Sequence, residues 1–115
     1  MALISAIAAA APLMTWKALI ELDAWPARAC IKVDDAPVGI LEGKLAGCWT
    51  VGLSASGNGV GLDQKALAAL PSVERQERLA KAEAELREAG ADYIIEDVSH
   101  LPGIVRDIAR RIAEA

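Results

Sequence analysis

The spacing of apolar residues changes several times along the chain, and each change marks an element. Over 15–22, Trp16, Leu19 and Ile20 recur at helical spacing and predict a helix, with Pro26 in the turn that follows. Residues 29–33 (Ala-Cys-Ile-Lys-Val) read as a short strand that runs into the acidic pair Asp34-Asp35. Pro37 suits the first turn of a helix over 38–45, and Gly47 suits its C-terminal cap. Residues 48–53 (Cys-Trp-Thr-Val-Gly-Leu) are almost continuously apolar, the pattern of a strand covered on both faces. The Ser-Gly-Asn-Gly-Val-Gly stretch at 56–61 then predicts a loop at that strand's carboxyl end.

Helical periodicity returns at 64–70 and, after Pro71, at 73–89. In the longer stretch Leu79, Ala82, Leu86 and Ala89 share a face, while Glu74/Arg78, Glu77/Lys81 and Glu83/Arg87 stand four apart on the solvated side. Gly90 closes this helix. A third strand is expected at 93–95 and a last helix over 101–113, with Ile104, Ile108 and Ile112 in register. Strands alternating with helices imply parallel pairing through right-handed crossovers, hence an α/β, Rossmann-like layer. Three strands are few for a parallel sheet, so the pattern reads as part of a larger one. The expected organisation is an Ala-rich apolar lead-in at 1–14 and one partial core domain at 15–115.

Composition narrows the function classes. The 115 residues are 54% hydrophobic and 24% charged, a globular balance, with only 3% aromatics and no Phe. A formal net charge of −4 argues against nucleic acid or an anionic membrane surface as a partner. The uncharged run at 1–14 lacks the basic start of a signal peptide and is too short to span a bilayer. Cys30 and Cys48, with His100 as the one histidine, cannot build a structural zinc site, and a reducing, cytoplasmic setting is the simplest reading.

Open α/β sheets place ligands at the carboxyl ends of their strands, where the chain offers Asp34-Asp35 and the glycine loop. Adjacent carboxylates after a buried strand suit a hard cation such as Mg²⁺, which takes one or two protein carboxylates. Capping of the next helix is the commoner use of Asp at such a turn. The loop matches neither a dinucleotide nor a Walker fingerprint, so a plain connection is favoured over a phosphate cradle. Lys32 fits either a buried, activated amine or a snorkelling side chain. Cys48 reads as an inert small hydrophobe, His100 as solvent-facing, and Trp16, Trp25 and Trp49 as core or interface anchors.

The run Ile31-Lys32-Val33-Asp34-Asp35-Ala36-Pro37-Val38-Gly39, continued through Ala46-Gly47-Cys48-Trp49-Thr50-Val51-Gly52, resembles the phosphonoacetaldehyde hydrolase (phosphonatase) family of the haloacid dehalogenase superfamily. Pro12-Leu13-Met14 with Lys17, Trp25-Pro26 before the first strand, Ala89-Gly90-Ala91-Asp92-Tyr93 and Leu101-Pro102-Gly103 agree with it, so the likeness extends over nearly all of 12–113. The resemblance implies Mg²⁺-dependent cleavage of the carbon–phosphorus bond of phosphonoacetaldehyde. In that chemistry a nucleophilic aspartate attacks phosphorus and a cap-domain lysine forms a Schiff base with the aldehyde. It places the metal-ligand role on Asp35. Asp34, at a position often Gly in relatives, is the lesser candidate, and Gly39 stands where some relatives carry another acid.

The departures from the family pattern are equally specific. The sequence holds no Asp-x-Asp nucleophile segment and no cap domain with its lysine, and Ala9 stands where the family has a phosphate-neutralising arginine. The expectation is therefore a C-terminal core segment or gene fragment, inactive alone, with no catalytic residue of its own. Its substrate would be a small phosphonate only when complemented. The alternatives are one chain of a split hydrolase, or a non-catalytic module that self-associates or binds a partner through an exposed sheet edge. A homo-oligomer or a missing N-terminal half is the expected partner.

Overall fold

The computed structural model describes residues 12–55 and 64–114. Helix α1 (Leu13–Glu21) leads into a 3₁₀ turn at Ala27–Ala29, strand β1 (Ile31–Asp34), helix α2 (Pro37–Ala46) and strand β2 (Trp49–Leu53). The short helix α3 (Gln64–Ala68), the long helix α4 (Ser72–Glu88), strand β3 (Tyr93–Ile95), a 3₁₀ turn at Val98–His100 and helix α5 (Leu101–Glu114) complete the order. All three strands are parallel in the order β1-β2-β3, with Ile31 opposite Trp49 and Val51 opposite Tyr93. The α/β class and the three-stranded parallel sheet expected from the periodicity are present.

Side-chain alternation along β1 and β2 divides the packing between two layers. Ile31, Val33, Val51, Leu53 and Ile95 turn to one face, where Ile108, Ile104 and Leu101 of α5 close over them. Val51 and Ile108 are essentially inaccessible to solvent. Lys32, Thr50 and Gly52 turn to the other face, under α2 and α4. The approach there is close, since a β-carbon on Gly43 would lie 2.9 Å from Thr50 Cγ2 and one on Gly52 would lie 3.0 Å from Leu86 Cδ1. Ala55, Leu67 and Ala82 form a second small core where α3 meets α4. On the solvated side of α4, Glu74–Arg78 and Glu83–Arg87 pair as their spacing predicts.

Two boundaries differ from the sequence expectation. Helix α1 begins at Leu13, inside the presumed lead-in, because Pro12 needs no amide hydrogen at a helix start. Ala29, expected as the first residue of β1, instead ends a 3₁₀ turn over Ala27–Ala29, with Ala29 N and Cys30 N donating to Pro26 O and Ala27 O. Gly47 does cap α2, at φ +92°, a left-handed conformation that suits glycine. Of the two readings open for the tryptophans, core or interface anchor, the core one fails for Trp25 and Trp16. Trp25 is 82% exposed and Trp16 42% exposed, so α1 leaves its apolar side uncovered, while Thr15 is its buried residue.

Strand β1 is an edge of this sheet among the described residues. No helix among them is long and apolar enough to cross a membrane.

Candidate functional site

Strand β1 delivers Asp34 and Asp35 to the carboxyl end of the sheet, just before Pro37 opens α2. The two acids do different things. Asp34 Oδ1 accepts a hydrogen bond from Ala36 N at 2.9 Å, and its Oδ2 lies 3.4 Å from Lys32 Nζ. This bond closes a turn ahead of the helix and does not cap it: Ala36 is the N-cap residue of α2 and makes no side-chain cap bond, so the capping use expected for one of the two acids is not taken up. The half-buried Asp35 makes no hydrogen bond or ion pair with the described residues.

Lys32 lies two residues before Asp34 on the same strand face, and its ammonium turns back along α2. It donates to Gly39 O at 3.0 Å and stands 3.8 Å from Glu42 Oε2. Thr15 of α1 donates to the other Glu42 oxygen at 3.0 Å. Lys32 is thus neither an isolated buried amine nor a free surface charge. It is the counter-ion of two carboxylates, and this polar chain links α1, α2 and β1. The i, i+2 spacing of Lys32 and Asp34 was readable as a shared strand face. Glu42 and Thr15 carried no such signal, because only the docking of α1 on α2 brings them in.

Beyond β2 and β3, Ala55, Lys65, Leu67, Arg75, Glu96 and Asp97 line an open concavity of about 530 Å³. Asp97 accepts from Ser99 N at 2.9 Å and from the Ser99 hydroxyl, and these bonds hold its carboxyl below the usual aspartate range. The glycine loop singled out at 56–61 lies outside the described residues. His100 is exposed, as expected. Cys48 is buried, and burial raises its thiol pKa, with the neighbouring Cys30 adding to the effect and Lys32 opposing it.

A divalent cation fits this arrangement only in part. Asp35 offers a carboxylate with no partner among the described residues, and Mg²⁺ accepts one or two such ligands from a protein. No cluster of three or more His, Cys, Asp or Glu that could hold a metal occurs among the described residues. Asp35 could therefore supply one ligand of a shared site.

No protein-family model matches the chain. Among curated proteins, phosphonoacetaldehyde hydrolase of Aeromonas hydrophila is 48% identical over 102 residues, 89% of this chain and 37% of the relative. The Bordetella avium phosphonoacetaldehyde hydrolase is 43% identical over 105 residues, 91% of this chain and 38% of the relative. This chain is homologous to the C-terminal part of phosphonoacetaldehyde hydrolase. The crystal structure of a phosphonoacetaldehyde hydrolase-like protein from Oleispira antarctica superimposes with a TM-score of 0.87 at 45% identity, over 92% of this chain and 38% of that one. The resemblance drawn from the Lys-Val-Asp-Asp and Ala-Gly-Cys-Trp-Thr-Val-Gly segments holds in sequence and in fold. The chain spans about 38% of the length of the phosphonoacetaldehyde hydrolases it matches.

Proposed function

We propose that this chain forms the C-terminal part of a phosphonoacetaldehyde-hydrolase core, contributing a metal-binding carboxylate to a site completed by other residues. Asp35 is the ligand in this reading and Asp34 is its support. The observation that carries the reading is the division of labour between the two acids. Asp34 is held by Ala36 N and Lys32, whereas Asp35, at the strand's carboxyl end, makes no hydrogen bond or ion pair with the described residues. Bound Mg²⁺ would supply positive charge against phosphoryl oxygens. The chain's own residues set the acid in place: β1 fixes its position, Pro37 starts α2 beside it, and Lys32 balances the charge of Asp34 and Glu42. Without an Asp-x-Asp segment or a cap lysine, the chain alone is inactive toward phosphonoacetaldehyde.

The test is complementation. The chain is co-expressed with the N-terminal part of the Aeromonas hydrophila relative, and phosphate release from phosphonoacetaldehyde is followed with Mg²⁺. Turnover by the pair, absent from either part and abolished by Asp35→Asn, is the expected result. Turnover by the chain alone, or by a complemented Asp35→Asn variant at the unmodified rate, overturns the assignment.

A second reading, self-association without catalysis, is favoured by one observation. Ile20 and Trp25 are 79% and 82% exposed in a concavity that also includes Trp16 and Leu19. Contiguous apolar surface of this kind marks an interaction site. Sedimentation at rising concentration would show a dimer that Ile20→Glu dissociates, and a single monomer species throughout would dismiss it.

A further inference from the structure

Two thiols far apart in sequence are brought together at the amino ends of β1 and β2. Ile31 stands opposite Trp49, and Trp49 N donates to Cys30 O at 2.9 Å. Carrying that parallel register back one residue sets Cys30 beside Cys48. Neighbouring strands lie about 4.8 Å apart, inside the Cα separation of about 4.4–6.8 Å that a disulfide accepts. Alternation puts Cys30 on the Lys32 face of β1 and Cys48 on the Thr50 face of β2, both under α2. Electrostatic influence of Cys30 and Lys32 on the Cys48 thiol agrees with this placement.

Access differs between the two. Cys48 is only 7% exposed and Cys30 is half-buried, its Sγ donating to Pro26 O at 3.3 Å. An open concavity of about 850 Å³, lined by Pro26, Ala29, Lys44, Gly47, Cys48 and Trp49 among others, opens on the Cys48 side of this corner, while Cys30, which does not line it, has access through its own greater exposure. We propose that Cys30 and Cys48 form a redox pair that closes to an intramolecular disulfide, with Cys30 meeting the oxidant and Cys48 resolving.

The oxidant is a low-molecular-weight disulfide such as oxidised glutathione. The Cys30 thiolate, its proton lost to solvent, attacks one glutathione sulfur and releases the other glutathione as a thiol. The Cys48 sulfur, deprotonated in turn, attacks Cys30 Sγ and expels the second glutathione. Two protein thiols are oxidised, one glutathione disulfide is reduced to two thiols, and no other reagent is consumed. The bond would tie the amino ends of both strands together, across the loop that contains all of α2.

Intact-mass spectrometry after incubation with oxidised glutathione tests the pair. The expected product is a monomer lighter by two hydrogens, with no free thiol, restored by dithiothreitol. Cys48→Ala should instead accumulate one glutathione adduct at Cys30, and Cys30→Ala should react far more slowly. Two stable adducts on the unmodified chain, a disulfide between chains, or unchanged free thiols would each overturn the proposal.

Discussion

A β-carbon placed on Gly39 would lie 1.9 Å from Oδ2 of Asp34 and 2.3 Å from its Cγ. The Asp34 carboxylate thus occupies space that any other residue at 39 would need for its own side chain.

Gly39→Ala should therefore cost about 1–3 kcal/mol, because Asp34 must leave its bond with Ala36 and its place beside Lys32. In an Asp34→Gly background the obstacle is gone and the sign should reverse. Alanine in a helix is then favoured over glycine by about 0.5–1 kcal/mol. Urea denaturation of the four proteins in this cycle measures the coupling, and additive effects would contradict the steric account.

Asp92 fastens the start of β3 to β2. Its Oδ2 accepts from Thr50 N at 2.8 Å, and its Oδ1 pairs with Lys44 at 2.9 Å. Thr50 is fully buried, so Asp92→Ala strands a buried amide and should cost about 1–3 kcal/mol. Lys44→Met removes only a partly exposed ion pair and should cost no more than about 1 kcal/mol. Equal losses from the two variants in thermal unfolding would contradict the ranking.

Helix α5 is held by one deeply buried side chain and finished by an exposed one. Ile108 is 1% and Ile112 36% exposed. Ile108→Ala should cost about 2–5 kcal/mol. Ile112→Ala should remain below about 1 kcal/mol. Denaturation midpoints check the contrast.

Much of the fold was legible because the period changes cleanly, from Ile104, Ile108 and Ile112 in α5 to the apolar run of β2. Ala29 was misread as strand because Ala-Arg-Ala carries no turn signal, and the bonds back to Pro26 and Ala27 decide the matter. At the candidate site, Asp34 and Asp35 could be found from sequence, but not which of them would be engaged. That depended on Lys32, whose direction is set by Gly39 O and Glu42 across a tertiary contact. Sequence left open whether Trp25 anchors a core or an interface, because size and apolarity indicate burial only where a neighbouring element exists to cover the ring; its exposure removes the core reading.

Acid should weaken the docking of α5. The Asp107 carboxyl is held below the ordinary value of 3.8, first by the Tyr93 hydroxyl and then by Arg110. As pH falls, the unfolded chain binds the proton before the folded one does. The contribution is thus complete above the ordinary value and disappears as pH drops through the folded one. Tyr93→Phe removes the larger cause and should flatten the loss of stability between about pH 5 and pH 2. An unchanged acid limb in that variant would contradict the assignment.

Strand β1, with β2 on one side only among the described residues, divides its amides into two populations. In a parallel pair alternate residues face the partner. Since Cys30 O points to Trp49 N, Lys32 and Asp34 face β2, while the amides of Ile31 and Val33 point away from the sheet. Those two protons should trade with deuterium from solvent by fluctuations far smaller than unfolding, while the amide of Lys32 stays protected. A strand captured along this edge would slow Ile31 and Val33 selectively. These two amides therefore give a residue-level readout of whatever completes the sheet.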